Sequence, residues 1–133
     1  YVRDNETNVT SLVTNSNIHA TWGAHASFVV PSISDDGRYI AYNVYPVSPP
    51  LPSSNAQILV TDLVTGTTTL VSEALDGGSG NVSSIWPHIS GDGRWVAFIS
   101  EASNLVINDL NGWVTCSCEI CQAELQSEYR FRL

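Results

Sequence analysis

Three cysteines stand within the stretch TCSCEIC, residues 115–121, and none occurs before it. Cys116, Cys118 and Cys121 could supply three thiolates to zinc or an iron–sulfur cluster, with Glu119 or a histidine as fourth ligand. The histidines of the chain are His19, His25 and His88. Zinc sites are typically marked by two paired C-x2-C motifs, however, and there is no second pair here. A disulfide would leave one thiol over, so the cluster does not define a metal or redox site and we expect no cofactor.

A serine nucleophile and a phosphate-binding loop are the next possibilities, both at GGSGN, residues 77–81. The G-x-S-x-G motif of hydrolases requires glycine where Asn81 stands. A phosphate-binding loop would continue into Gly-Lys-Ser or Gly-Lys-Thr, which is missing. Clusters of glycine and serine are typical of loops, and a loop is our interpretation.

The carboxylate pair Asp35-Asp36 could perform acid–base chemistry. The same motif recurs 56 positions later as Gly91-Asp92. Only the second aspartate persists, followed each time by glycine, which favours a turn. We therefore assign no catalytic residue, and neither a cofactor-binding nor a metal-ligating one.

Two further patterns concern calcium and glycans. Asp109 and Asn111, within NDLNG, could offer oxygen ligands to calcium, although such clusters usually mark loops. Three asparagines begin N-x-[ST] tripeptides, a frequency expected by chance in a chain this rich in serine and threonine. They are Asn5, Asn8 and Asn81.

The composition restricts the partners. The net charge is −8, with five arginines and no lysine among 133 residues. Nucleic acids and anionic membrane surfaces attract basic proteins, so neither is expected to bind. No apolar run reaches membrane-spanning length, and the first residues lack the basic and apolar regions of a signal peptide. We expect a single domain with a modest core, present as a fragment or a processed product.

An internal repeat organises the chain. PSISDDGRYIAY (31–42) returns as PHISGDGRWVAF (87–98), at an offset of 56. VRDNETNVTSLVT (2–14) aligns with VTDLVTGTTTLVS (60–72), at an offset of 58. The repeating unit is therefore 56 to 58 residues long, and the chain enters it midway.

Each unit is predicted to contain four short strands. Asp-Gly between apolar runs is a strong hairpin signal, since glycine accepts a positive φ. The flanking segments 38–44, 57–63 and 67–72 are rich in β-branched and aromatic residues. Alternation in 38–44 places apolar side chains on both faces, which predicts a sheet covered on both sides.

These motifs resemble the TolB-like β-propeller repeat, a bacterial relative of WD repeats. The resemblance rests on the two S-x-D-G-R hairpins, on VTDLVTG (60–66) and on SNLV (103–106), and extends over residues 1–112. It implies an all-β fold, a partial β-propeller of four-stranded antiparallel blades amounting to about two blades. Residues 1–14 would form half a blade, 28–73 a full blade and 85–100 another half.

The resemblance implies several roles but no particular one. The first hypothesis is a non-catalytic scaffold or binding surface of a larger exported bacterial protein, in the periplasm or outside the cell. Its partners would be other blades or another protein, and exposed blade faces could cause self-association. The alternatives are an accessory propeller of a prolyl-oligopeptidase-like hydrolase and, remotely, metal binding through the cysteines.

The tail, residues 113–133, matches nothing upstream although another repeat strand is due there. Read from the third base of the Trp113 codon, its possible codons permit GDVFVRDLPGGATIRVSIS, which resembles residues 60–72. We therefore interpret the tail as the product of a frameshift in the gene or its sequencing. On this hypothesis the cysteines are incidental.

Overall fold

A computed structural model describes residues 1–13, 27–45, 55–107 and 120–124, of which 27–29 and 120–124 are described as backbone only. This part of the chain contains nine β-strands and no helix, so the predicted all-β class is confirmed. All strand pairs are antiparallel. In chain order the strands are β1 Val2–Arg3, β2 Thr10–Ser11, β3 Ser27–Ile33, β4 Tyr39–Tyr45, β5 Gln57–Asp62, β6 Thr68–Leu70, β7 Ser84–Ile89, β8 Trp95–Ser100 and β9 Ile120–Glu124.

The strands form three sheets in which chain neighbours pair with each other. Sheet 1 is β1-β2, sheet 2 is β3-β4-β5-β6, and sheet 3 is β7-β8-β9. The four strands predicted for one complete unit are those of sheet 2. The first of them begins earlier than the pattern indicated, at Ser27.

The two copies of the hairpin have the same backbone. Gly37 and Gly93 both adopt positive φ, at 70° and 73°. Val30 and Trp86, also 56 positions apart, have φ of 53° and 56°. Each lies where the register of its hairpin shifts, in a β-bulge between β3 and β4 or between β7 and β8. The sequence repeat is therefore a structural repeat.

One face of sheet 2 packs against sheet 1. Ile40, Tyr42 and Val44 project from β4 into a cluster with Leu59 and Val13. Val2 of β1 packs against the same cluster. Burying such side chains stabilises the fold by about 1.5–3 kcal/mol each, so this contact fixes sheet 1 on sheet 2.

The opposite face of sheet 2 packs against sheet 3. Ala41, Ile58 and Val60 lie in one cluster with Val96 and Phe98 of β8. The backbone N–H of Ile89 also donates to the Ser32 hydroxyl across the two sheets, at 3.2 Å. Alternation along β4 thus sends successive side chains to different neighbours, and the prediction that both faces are covered is confirmed.

One strand lies in the region interpreted as a frameshifted tail. The backbone of β9 pairs with β8, with Glu124 opposite Trp95. Asp62 stands opposite Tyr39 in the same way in sheet 2. The segment therefore occupies the position of a third strand, while its origin stays a prediction.

Candidate functional site

The polar residues repeated in the sequence form two tight turns at one end of the sheets. The first turn, residues 34–39, joins β3 to β4, and the second turn, residues 90–95, joins β7 to β8. Serine, aspartate and arginine cluster at these two places in both copies.

In the first turn Ser34 is buried, and its hydroxyl both donates and accepts a hydrogen bond. It donates to Asp36 Oδ1 at 2.6 Å and accepts from the backbone N–H of Tyr39 at 3.0 Å. Asp36 Oδ1 also accepts from the N–H of Arg38 at 3.0 Å. The Gly37 N–H closes the turn on the Ser34 carbonyl at 2.9 Å.

The second turn repeats these bonds. Ser90 donates to Asp92 at 2.5 Å and accepts from the N–H of Trp95 at 2.9 Å. Asp92 accepts from the N–H of Arg94 at 3.1 Å. In both turns the carboxylate that accepts the serine hydroxyl also accepts a backbone N–H of the same turn, so each hydroxyl and carboxylate together close their own turn.

The carboxylates of both turns are stabilised in their ionised form. The serine hydroxyl bond, and next the arginine N–H bond, hold the pKa of Asp36 below its usual value. The pKa of Asp92 is lowered by the same two bonds in the same order. A general acid at neutral pH needs a raised pKa, so these groups suit turn formation. The interpretation of Asp-Gly as a structural turn is confirmed.

The two turns are in direct contact. The backbone N–H of Asp35 donates to the Gly91 carbonyl at 2.9 Å. A Cβ atom at Gly91 would collide with the Asp35 carboxylate. Gly91 therefore lies directly against its own counterpart, Asp35, and the carboxylate pair is not a repeated feature.

The second sequence repeat, in which residues 2–14 align with residues 60–72, also contains a pair of equivalent turns. Asp62 Oδ1 accepts from the backbone N–H groups of Val64 and Thr65, at 2.9 and 3.3 Å. Asp4 Oδ1 does the same with Glu6 and Thr7, at 2.8 and 3.2 Å. One position of each turn has a left-handed backbone conformation. It is occupied by Asn8 (φ 59°) in the turn of sheet 1 and by Gly66 (φ 71°) in the turn of sheet 2.

Asp62 has one partner more than Asp4. Arg38, at the start of β4, places Nη2 at 2.8 Å from Asp62 Oδ2 and donates from Nε to both carboxylate oxygens at 3.2 Å. This ion pair, foremost among several hydrogen bonds, holds the pKa of Asp62 far below its usual range. It fastens β4 to β5 at the end where the turns lie.

The loop at residues 77–81 is held against sheet 2 by a buried glutamine. Gln57 Oε1 accepts from the Ser72 hydroxyl at 2.7 Å and from the Gly80 N–H at 3.2 Å. Gln57 Nε2 donates to the Gly80 carbonyl at 3.0 Å. The loop interpretation of GGSGN is confirmed, and its backbone is engaged in structural hydrogen bonds.

The asparagines of the N-x-[ST] tripeptides differ in their surroundings. Asn81 uses both side-chain atoms on Ser103: its Nδ2 donates to the hydroxyl and its Oδ1 accepts from the N–H, each at 3.0 Å. Asn8 Oδ1 accepts from Arg3 at 3.0 Å. Asn5 lies in the turn between β1 and β2. The Nδ2 atom of Asn81, to which a glycan would be attached, is therefore already hydrogen-bonded to Ser103.

Most candidates for metal binding lie outside the described residues. This applies to His19, His25, Cys116, Cys118, Glu119, Asp109 and Asn111. Cys121 lies in β9, where only backbone is described, and His88 is an exposed residue of β7. Within the described ranges no three histidine, cysteine, aspartate or glutamate residues come together as metal ligands.

Comparison with known proteins gives no family. A scan against family models and a search of curated proteins both found no match to this chain. No helix in the described ranges has the length and apolar character needed to cross a membrane.

Sequence reasoning missed three features of this region. The left-handed backbone at Val30 and Trp86 carried no signal, because these side chains disfavour positive φ. The burial of Gln57 ran against the usual exposure of glutamine. The Arg38–Asp62 pair spans 24 residues and could have been found only from the register of β4 on β5.

Proposed function

We propose that the chain is a non-catalytic segment of a TolB-like β-propeller and acts as a scaffold or a protein- or ligand-binding surface within a larger exported bacterial protein. The observation that carries this proposal is the repeated packing unit. Each hairpin has the same turn and bulge, and sheet 2 packs by its two faces against different neighbours. Such units bury their faces only against further units.

The use of the polar groups supports a structural role. Ser34, Asp36, Ser90 and Asp92 are engaged in turn formation, and Gln57 ties a loop to its sheet. Bonds of this kind, within a turn and between a loop and its sheet, are what a scaffold needs. Other blades are the expected partners, and the periplasm or the exterior is the proposed location.

The arrangement of the sheets provides the test. We would determine an experimental structure of the chain expressed with the coding sequence that flanks it in its gene. Successive four-stranded sheets should surround one axis, with β3 and β7 innermost. Sheets stacked in a row or closed into a two-layer sandwich would contradict the proposal.

A second measurement tests the non-catalytic part. A fluorophosphonate probe, which labels activated serines, should leave the folded chain unlabelled, with heat-denatured chain as the background control. Labelling of the folded chain above that background would show an activated serine and overturn this part of the proposal.

A further inference from the structure

Sheet 1 exposes side chains whose counterparts in sheet 2 are buried. The offset of 58 pairs Tyr1 with Leu59 and Leu12 with Leu70. Leu59 is 1% exposed and lies in the core beside the apolar side chains of β4, whereas Tyr1 is 88% exposed. Leu12 is 59% exposed, while Leu70 packs against that core. The first sheet therefore lacks, among the described residues, the neighbour that the second sheet has.

The place where a neighbouring strand could be added is the second edge of β1. In sheet 2 the equivalent strand, β5, pairs with β6 on one edge and with β4 on the other. Within the described ranges β1 pairs only with β2. Its other edge is therefore open to an added strand, which is a common mode of peptide recognition.

The charge at this edge specifies the strand that would fit. Asp4 repeats the turn geometry of Asp62, including an N–H bond to Val9 of 2.9 Å that matches the 2.9 Å bond from Asp62 to Thr67. Asp62 receives the Arg38 guanidinium from β4. The hydroxyl of Thr7 reaches Asp4 at 2.7 Å, and no cation pairs with Asp4 in the described part of the chain. Asp4 thus presents a carboxylate where a neighbouring strand would begin with arginine.

We propose that sheet 1 is a docking surface for an arginine-bearing β-hairpin of the S-x-D-G-R-aromatic type. The hairpin adds its second strand to the free edge of β1, places its arginine on Asp4, and flanks Tyr1 with apolar side chains. This inference rests on the proposed repeat scaffold and specifies one of its partners. Backbone bonds along the edge give affinity, and the ion pair fixes the register.

The experiment joins a second copy of residues 27–58 in front of Tyr1 of the full chain, so that the copied Ile58 precedes Tyr1 as Ile58 precedes Leu59. The N–H groups that face the free edge are those of Arg3 and Asn5, since Leu63, the counterpart of Asn5, donates its N–H to the Arg38 carbonyl of the neighbouring strand. Amide hydrogen exchange at Arg3 and Asn5 should become about tenfold slower than in the unextended chain. The pKa of Asp4, already lowered by its bonds to Thr7 and Glu6, should fall further. NMR reads both effects at single residues.

The matched control carries Arg38→Gln in the added copy alone, which leaves every residue of the original chain unchanged. Its protection at Arg3 and Asn5 should be about three- to fivefold weaker, the size expected of an exposed ion pair. Asp4 should then keep the pKa of the unextended chain. Exchange that does not slow, or slows equally with glutamine, would overturn the proposal.

Self-association of the unextended chain is the competing outcome. Sedimentation over a range of concentrations, combined with exchange at the same two amides, would reveal it. Protection that rises with concentration would mean that the edge takes a second copy, against the proposal. These readouts concern one strand edge, so they do not depend on whether the sheets surround an axis.

Discussion

Gly93 of the second turn lies directly against the ring of Tyr39 at the end of the first turn. A Cβ atom at Gly93 would be 2.5 Å from Cδ2 of that ring. Gly37, at the same place in the first turn, has no atom within 4 Å of its Cβ position. The two glycines therefore share one backbone conformation but differ in what surrounds them.

This difference predicts unequal effects of alanine. Gly37→Ala should cost about 1 kcal/mol, since the substitution strains a residue of positive φ. Gly93→Ala should cost about 2–4 kcal/mol, because overpacking against Tyr39 is added to the same strain. Urea unfolding of both variants measures the two values. Equal losses would show that the turns do not press on each other in solution.

The Arg38–Asp62 pair predicts an acid-dependent stability. The folded-state pKa of Asp62 lies below its ordinary value of 3.8, so the stabilisation is present above that value and is lost as the pH falls below it. Arg38→Gln removes the largest cause of the shift. Its unfolding free energy should therefore fall less than that of the wild type between about pH 5 and about pH 3.

The control for this prediction is Asp62→Asn, alone and combined with Arg38→Gln. With the titrating group removed, adding Arg38→Gln should leave the pH dependence nearly unchanged, as a double-mutant cycle requires. Urea titrations at several pH values would supply the cycle. A wild type and an Arg38→Gln variant with parallel acid profiles would refute the role of the ion pair.

Gln57 should control the order of the loop at residues 77–81. Gln57→Leu removes the acceptor of the Ser72 hydroxyl and the donor to the Gly80 carbonyl, both in buried surroundings. We expect a loss of about 1–3 kcal/mol and faster amide exchange at Gly80. Thr69→Ala, at an exposed position of β6, should change stability by no more than about 0.5 kcal/mol. An unchanged exchange rate at Gly80 would mean that the loop is held by other contacts.

The nucleotide sequence around codon 113 tests the frameshift interpretation. Its third base should open a frame whose first codon is glycine and whose later codons spell the repeat-like peptide given above. The glycine codon follows from the tryptophan and valine codons in any gene, so it does not test the hypothesis. The codons after that glycine are the informative ones. Codons incompatible with that peptide would refute the frameshift interpretation.

The hairpins and strands could be predicted because short-range chemistry determines them. Asp36-Gly37 and Asp92-Gly93 mark turns in any context, and the alternation along residues 38–44 already indicated two covered faces. The repeat then extended each assignment to a second place in the chain. This is why the strands of sheet 2 and the Asp-Gly turns could be predicted before the structure.

Features that depend on contacts between sheets could not be predicted in this way. Asp35 and Gly91 are joined by a backbone hydrogen bond because the two turns touch, and a sequence does not show which turns meet. Gln57 is buried because the chain at Gly80 returns to the sheet, where the Gly80 carbonyl and the Ser72 hydroxyl both bond to its amide. Neither residue type indicates such a place by itself.

The alternation along β4 has a geometric consequence for assembly. Ile40, Tyr42 and Val44 meet the preceding sheet, while Ala41 meets the following one. Because the two sides of a sheet are unlike, a row of such sheets has a direction. Repetition of this head-to-tail contact is heterologous, and it either closes into a ring or grows as an open filament.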